Sequence, residues 1–246
     1  MFYVFIVLTV GATSLLSGIL GMAGGMILMA VLVTTMGVAS AMLLHGAVQA
    51  TANGSRAWFL RQHIRWSILP VYTLGALLAT GVFAAITLVP HPGLVLILVG
   101  LFPWLARFSK RLSGLDVTRP LTTLVCGVVV TSAQLLAGAS GPLLDVFYLN
   151  SPLTRQEIVA NKALTQTLGH ILKMIYYGLI ISVATTIPPL LLTAALIMAI
   201  VGTRLGTWLL HRWNDRDFQK ISQLIILSIA TLCLLQGGRM LLLDYL

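Results

Sequence analysis

The sequence predicts an all-α integral membrane protein made of two inverted repeats, each a glycine-broken, re-entrant helix hairpin followed by three transmembrane helices. Three observations carry that expectation. Of 246 residues, 58% are hydrophobic and only 9% are charged, too few to keep a soluble surface dispersed in water. No Asp, Glu, Lys or Arg precedes Arg56. A pattern of glycines and polar residues in the first half returns in the second, with Gly21 falling on Gly138 and Arg56 on Lys173.

A helix needs about 20 apolar residues to cross the hydrocarbon core. In the first repeat, residues 1–112, such runs occupy 41–60, 66–89 and 93–108. In the second, residues 113–246, they occupy 159–181, 189–211 and 218–238. The stretches 3–36 and 121–149 are too long for one crossing and too short for two. Each is interrupted by small residues, GMAGG from Gly21 and GASGP from Gly138, which free backbone groups that must be covered by protein or water. Both are read as hairpins. Basic residues gather in 56–65, 107–119 and 211–220, which should face the cytoplasm. Segments 34–44, 84–92 and 182–189 carry no Asp, Glu, Lys or Arg and should lie outside. The loop 150–157 is then cytoplasmic only if 121–149 enters and leaves by the same face. One hairpin plus three crossings per half turns the second half upside down.

The helix after each hairpin carries a polar stripe. His45, Gln49, Asn53 and Arg56 share the spacing i, i+4, i+8, i+11 with Lys162, Gln166, His170 and Lys173. At 3.6 residues per turn these positions occupy roughly 80° of arc. Lys or Arg at the bilayer centre costs about 2.5–3.5 kcal/mol, so such residues face a cavity or a partner. For Gln49, Asn53 and Gln166 individually, hydrogen bonding between helices is an equally good account. The cations ask for more, because Asp145 is the only acid near the membrane interior, the others falling in loops or at the terminus. A small anionic substrate is the expected partner, and removing Lys162 or Lys173 should leave ligand-free stability unchanged or higher. Helices restarting after the breaks present N–H groups and a positive dipole end to such an anion. Gly24, Gly25, Gly138, Ser140 and Gly141 therefore join the two stripes as candidate substrate-binding residues. Asp145, His170 and His45 are candidates for coupling to a proton or a sodium ion.

Other features have plainer readings. The net charge of +9 follows from the cytoplasmic loops and calls for no nucleic acid. Cys126 and Cys233 stand alone and read as small buried hydrophobes. No spacing suggests a metal site, a cofactor or a catalytic constellation. The N-terminus lacks the basic region of a cleaved signal peptide and is read as structure. Gly202 and Gly206 read as close-packing positions; Met22, Met26 and Met29 as packing; Tyr176 and Tyr177 as interfacial anchors. Arg204 either snorkels to the interface or completes the anion site.

SGILGMAGGM (17–26) with HGAVQATANGSR (45–56), and AGASGPLLDVFYL (137–149) with NKALTQTLGHILK (161–173), resemble the TauE/SafE family of sulfite exporter-like transporters. In that family a glycine-rich break is followed by a polar second helix. The resemblance covers essentially the whole chain and implies alternating-access transport of sulfite, an organosulfonate or a related small anion across the bacterial cytoplasmic membrane. Here Gly24-Gly25 runs into Met26 rather than proline and the second break is SGP followed by Asp145, a combination that resembles a subgroup of the family. An anion channel of the same architecture, a membrane enzyme and an assembly factor are the rival readings. In a variant lacking Cys126 and Cys233, a cysteine at position 151 should be labelled in intact cells only by a membrane-permeant reagent. Labelling by an impermeant one contradicts the hairpin.

Overall fold

A computed structural model describes residues 1–20, 23–108, 115–148, 150–182, 187–210 and 215–244. Every regular element among them is helical. The α-helices are α1 (Phe2–Leu20), α2 (Ala23–Thr35), α3 (Val38–Phe59), α4 (Ile68–Ile86), α5 (Pro92–Phe108), α6 (Pro120–Ala137), α7 (Gly141–Tyr148), α8 (Arg155–Ile175), α9 (Pro189–Leu210) and α10 (Asp215–Asp244). Five of these, α1, α4, α6, α9 and α10, contain 18 or more consecutive residues apolar enough to cross a membrane. At 22 and 21 residues, α3 and α8 have the length but carry the polar stripes. At 17 residues α5 is shorter. α10 spans 30 residues and extends beyond its apolar run, Gln223–Asp244, at the N-terminal end. The outward faces are apolar, with Leu74, Leu77 and Leu78 of α4 and Leu190 and Ile197 of α9 exposed. In water such a surface would aggregate; in lipid it is the correct solvent.

Both small-residue segments interrupt helices. α1 ends at Leu20 and α2 begins at Ala23, while Gly21 and Met22 lie outside the described residues. Between α6 and α7, Gly138 adopts the left-handed conformation at φ 74°, which a residue with a Cβ reaches only at a cost. A Cβ there would also come within 2.4 Å of the Met29 sulfur. The amide of Val117 donates to the carbonyl of Phe147 at 3.1 Å. This bond places the segment just before α6 beside the end of α7. α8 starts on a capping box: the Thr154 hydroxyl accepts from the Glu157 amide, and the Glu157 carboxylate accepts from the Thr154 amide. That backbone donor, with Arg65 beside it, holds the Glu157 carboxyl below its usual range. Its contribution is therefore present at neutral pH and lost on acidification.

The longest helix contacts are α1 with α9, α4 with α6, α5 with α10 and α3 with α8. At three of the four, glycine brings backbone directly against backbone. On α1–α9, a Cβ on Gly206 would lie 2.2 Å from the Leu15 carbonyl oxygen, and one on Gly18 would lie 2.8 Å from Gly206 Cα. On α4–α6, a Cβ on Gly127 would lie 2.3 Å from the Tyr72 carbonyl. On α5–α10, one on Gly237 would lie 2.6 Å from the Gly93 carbonyl. Lipid tails remove the hydrophobic drive between helices, so backbone-to-backbone approach and its dispersion energy take over. Gly202 and Gly206 are close-packing positions, as their spacing predicts.

Tyr176 and Tyr177 are not interfacial. They form a π-helical turn, 176–180, at the end of α8 and are fully buried. Their hydroxyls donate to the carbonyls of Leu88 and Leu135, each at 2.7 Å. The sequence hid this because a tyrosine near a helix end looks the same whether its ring meets lipid or a neighbouring helix. Met26, Met29, Cys126 and Cys233 are buried, and Arg204 is exposed on α9. Gly206→Leu and Gly127→Leu should each lower stability in detergent by at least about 1–3 kcal/mol, the usual range for overpacking. Gly81→Ala, where a Cβ meets nothing within 4 Å, is the matched control and should not. Equal melting temperatures for all three would show that close approach is not what holds these crossings.

Candidate functional site

α3 and α8 cross antiparallel with their polar stripes face to face. A Cβ on Gly46 would meet Met174 and the His170 carbonyl, and one on Gly54 would meet Thr167. Further along, the Arg65 amide donates to the Asn161 side chain. This register sets His45 beside Lys173 at one end of the stripes. It leaves Arg56 and Lys162 about 16 Å away, eleven residues along their helices.

At the first end, two hydrogen bonds to His45 and one more from Lys173 connect both helix breaks. His45 Nε2 lies 2.9 Å from the Gly25 carbonyl oxygen, which can only accept, so Nε2 carries the ring proton. Nδ1 is then an acceptor, and Lys173 Nζ donates to it at 2.9 Å. A second N–H of Lys173 donates to the Gly138 carbonyl, also at 2.9 Å. Lys173 is 0% exposed, His45 1% and His170 3%, and the two imidazoles stand 5.4 Å apart, centroid to centroid. Break carbonyls, rather than the N–H groups expected from the dipole argument, make these contacts.

Around this chain lie buried polar atoms with no partner: Gln49 Nε2, Gln134 Nε2 and His170 Nδ1. Native interiors rarely leave such groups unmatched, and each costs about 1–3 kcal/mol when it is. Gln49 lies against Gly25, where a Cβ would come within 3.4 Å of its amide. Gln134 is the residue that sequence reasoning missed. Its Oε1 accepts from the Ser140 hydroxyl at 3.0 Å, and the amide packs on Gly169, where a Cβ would lie 2.5 Å from Oε1. A signal was present: Gln134 stands in the last turn of an apolar run before the break, on the repeat position of Ser17.

The remaining candidates are placed differently. Lys162 is ion-paired with Asp145 across α8 and α7, so this cation has a protein counter-charge. Arg56 donates to the Ser17 carbonyl near the end of α1 at 3.3 Å. Asn53 donates to Gln49 of its own helix at 3.0 Å, and Gln166 is part-buried on α8. Gly24 is turned to α1, where a Cβ would lie 1.8 Å from the Thr13 carbonyl. Gly141 opens α7 directly after Ser140. Gly25, His45, Gln49, Gly138, Ser140, His170 and Lys173 thus come together with Gln134, and Arg56, Lys162 and Asp145 lie toward the far end of the stripes. The expectation that Lys173→Met costs no stability changes as well, since two acceptors would lose their donor.

The family model described as sulfite exporter TauE/SafE matches residues 5–232. The chain belongs to that family. No curated protein and no solved structure matches it. Membership makes the protein a membrane transporter of the sulfite-exporter type, in keeping with its apolar helices.

Asp145→Asn should destabilise the protein by about 1–2 kcal/mol by leaving Lys162 unpaired, less than for a fully buried pair because both side chains are partly exposed. Adding Lys162→Met should restore most of the loss. A double-mutant cycle with no coupling between the two positions contradicts the pair.

Proposed function

We propose that the protein is a secondary transporter that moves a small sulfur-containing anion, sulfite or an organosulfonate, across the bacterial cytoplasmic membrane by alternating access. The observation that carries this reading is the buried chain Gly25–His45–Lys173–Gly138, which ties the two interrupted helices together through a lysine with no carboxylate partner among the described residues. An anion there would be the counter-charge of a protonated Lys173 and would accept from the unpaired amides of Gln49 and Gln134.

The inverted repeat, residues 1–112 and 113–246, belongs to the same proposal. If α1 to α5 correspond to α6 to α10, every major contact must have a counterpart, and α1–α9 answers α4–α6 while α3–α8 and α5–α10 answer themselves. The hydrogen bond from Val117 to Phe147 favours a re-entrant α6–α7 hairpin. Repeats meeting at broken helices suit a carrier whose halves rock around a central site.

Proteoliposomes loaded with an inward sulfite gradient test the function. Sulfite, thiosulfate, sulfoacetate, taurine and simple carboxylates should compete to different degrees, and a labelled anion should be accumulated against its own gradient by counterflow. Lys173→Met should weaken anion binding by at least about 1.5 kcal/mol, roughly tenfold, the low end for a hydrogen bond to a charged group. Flux that only dissipates gradients indicates a channel, and unaltered binding in the variant removes Lys173 from the site.

A further inference from the structure

We propose that Lys173 is the coupling-proton site: a neutral amine when the site is empty, it takes up one proton together with the anion and releases it with the anion on the other side. This inference rests on the anion-transport reading and adds the coupling ion to it. The carboxylates whose side chains are described are all committed elsewhere. Asp145 pairs with Lys162, Glu157 with Arg65 and the helix cap, Asp116 with Thr118 and Arg119, and Asp244 with His91.

The titratable groups on the elements packed against α8 are His45 and Arg56 from α3, Tyr72 from α4, Cys126 from α6, Asp145 and Tyr148 from α7, Arg61 and His63 from the short turn after α3, and Tyr176 and Tyr177 from the π turn. On α8 itself, His170 stands one turn away. None of these gives Lys173 a negative partner. A fully buried ammonium in that position has no counter-charge to offset its loss of water.

The hydrogen-bond count fits the neutral form. A primary amine has two N–H groups, and Lys173 has two acceptors, the Gly138 carbonyl and His45 Nδ1. Its lone pair is left over, and a lone pair repels an anion. Protonation converts that lone pair into a third N–H donor without breaking either existing bond. The proton comes from hydronium in the water on the side from which the anion enters, whose O–H bond breaks as the N–H bond forms, and return of that proton from Nζ to water on the other side restores the empty state. His45 cannot take the proton instead while Nε2 donates to Gly25 and Nδ1 accepts from Lys173. Linkage requires that the anion raise the proton affinity of Lys173 by the same factor as the proton raises anion affinity.

The test uses the full-length protein in nanodiscs with thiosulfate and sulfoacetate, both fully ionised near neutral pH, so that any proton taken up belongs to the protein. Titration calorimetry in two buffers of different ionisation enthalpy should give about one proton absorbed per anion bound. In Lys173→Arg, where the charge is permanent, the anion should bind with no proton uptake and an affinity independent of pH. In His170→Asn, whatever binding remains should still carry the proton. Wild-type binding without proton uptake overturns the inference but leaves the transport reading standing, and this arm needs no variant to fold. Uptake that persists in Lys173→Arg also overturns it. If neither thiosulfate nor sulfoacetate binds, the reading of the site fails and the inference falls with it.

Discussion

A lysine side chain fully withdrawn from water, held by a histidine and a backbone carbonyl between two interrupted helices, is the constraint on which the rest of this structure depends. Lipid cannot solvate it, and no acid among the described residues neutralises it. Two backbone carbonyls hold it: Gly138 accepts directly, and Gly25 accepts from the imidazole that in turn accepts from Lys173. The Gly138 carbonyl is free for this because α6 ends there, whereas Gly25, in the first turn of α2, shares a carbonyl that its own helix also uses. The break at Gly138 and the stripe are therefore one device.

Holding that device requires the surrounding helices to come very close. Glycine at the α1–α9, α4–α6 and α5–α10 crossings lets backbones touch, so the broken helices α1 and α6 are each clamped to an apolar partner from the opposite half. Tyr176 and Tyr177 brace the end of α8 against the backbone at Leu88 and Leu135. Rigid helices carrying a few unpaired polar atoms at one level are a suitable frame for a site that opens to either side. Gln49, Gln134 and His170 are those atoms, and each belongs to a different helix.

Much of this was legible in the sequence because the physics of lipid is severe. Runs of about 20 apolar residues, small-residue interruptions and polar residues at helical spacing each admit few structures. The positions of α3 to α6, α8 and α9 follow from those patterns. What could not be read is which polar groups meet. Lys162 and Lys173 look equivalent on one helix face, yet α7 brings Asp145 to the first and the antiparallel crossing of α3 brings His45 to the second. Gln134 was hidden for the same reason: a lone glutamine in an apolar run acquires meaning only when Ser140 folds back on it. Tyr176 and Tyr177 show the converse error, in which amphipathic side chains near a helix end were assigned to the interface although neighbouring carbonyls claim their hydroxyls.

The central claim is that the anion binds at the Lys173 end of the stripes, between Gly25 and Gly138. Selenite replaces sulfite with an anomalous scatterer of nearly the same shape, and diffraction from crystals soaked in it locates the anion without reference to activity. The account predicts an anomalous peak within hydrogen-bonding reach of Lys173 Nζ and of the amide of Gln49 or Gln134, weakened or absent in Lys173→Met. A peak beside Arg56 and Lys162 instead, or one beside Lys173 that survives its replacement, contradicts it.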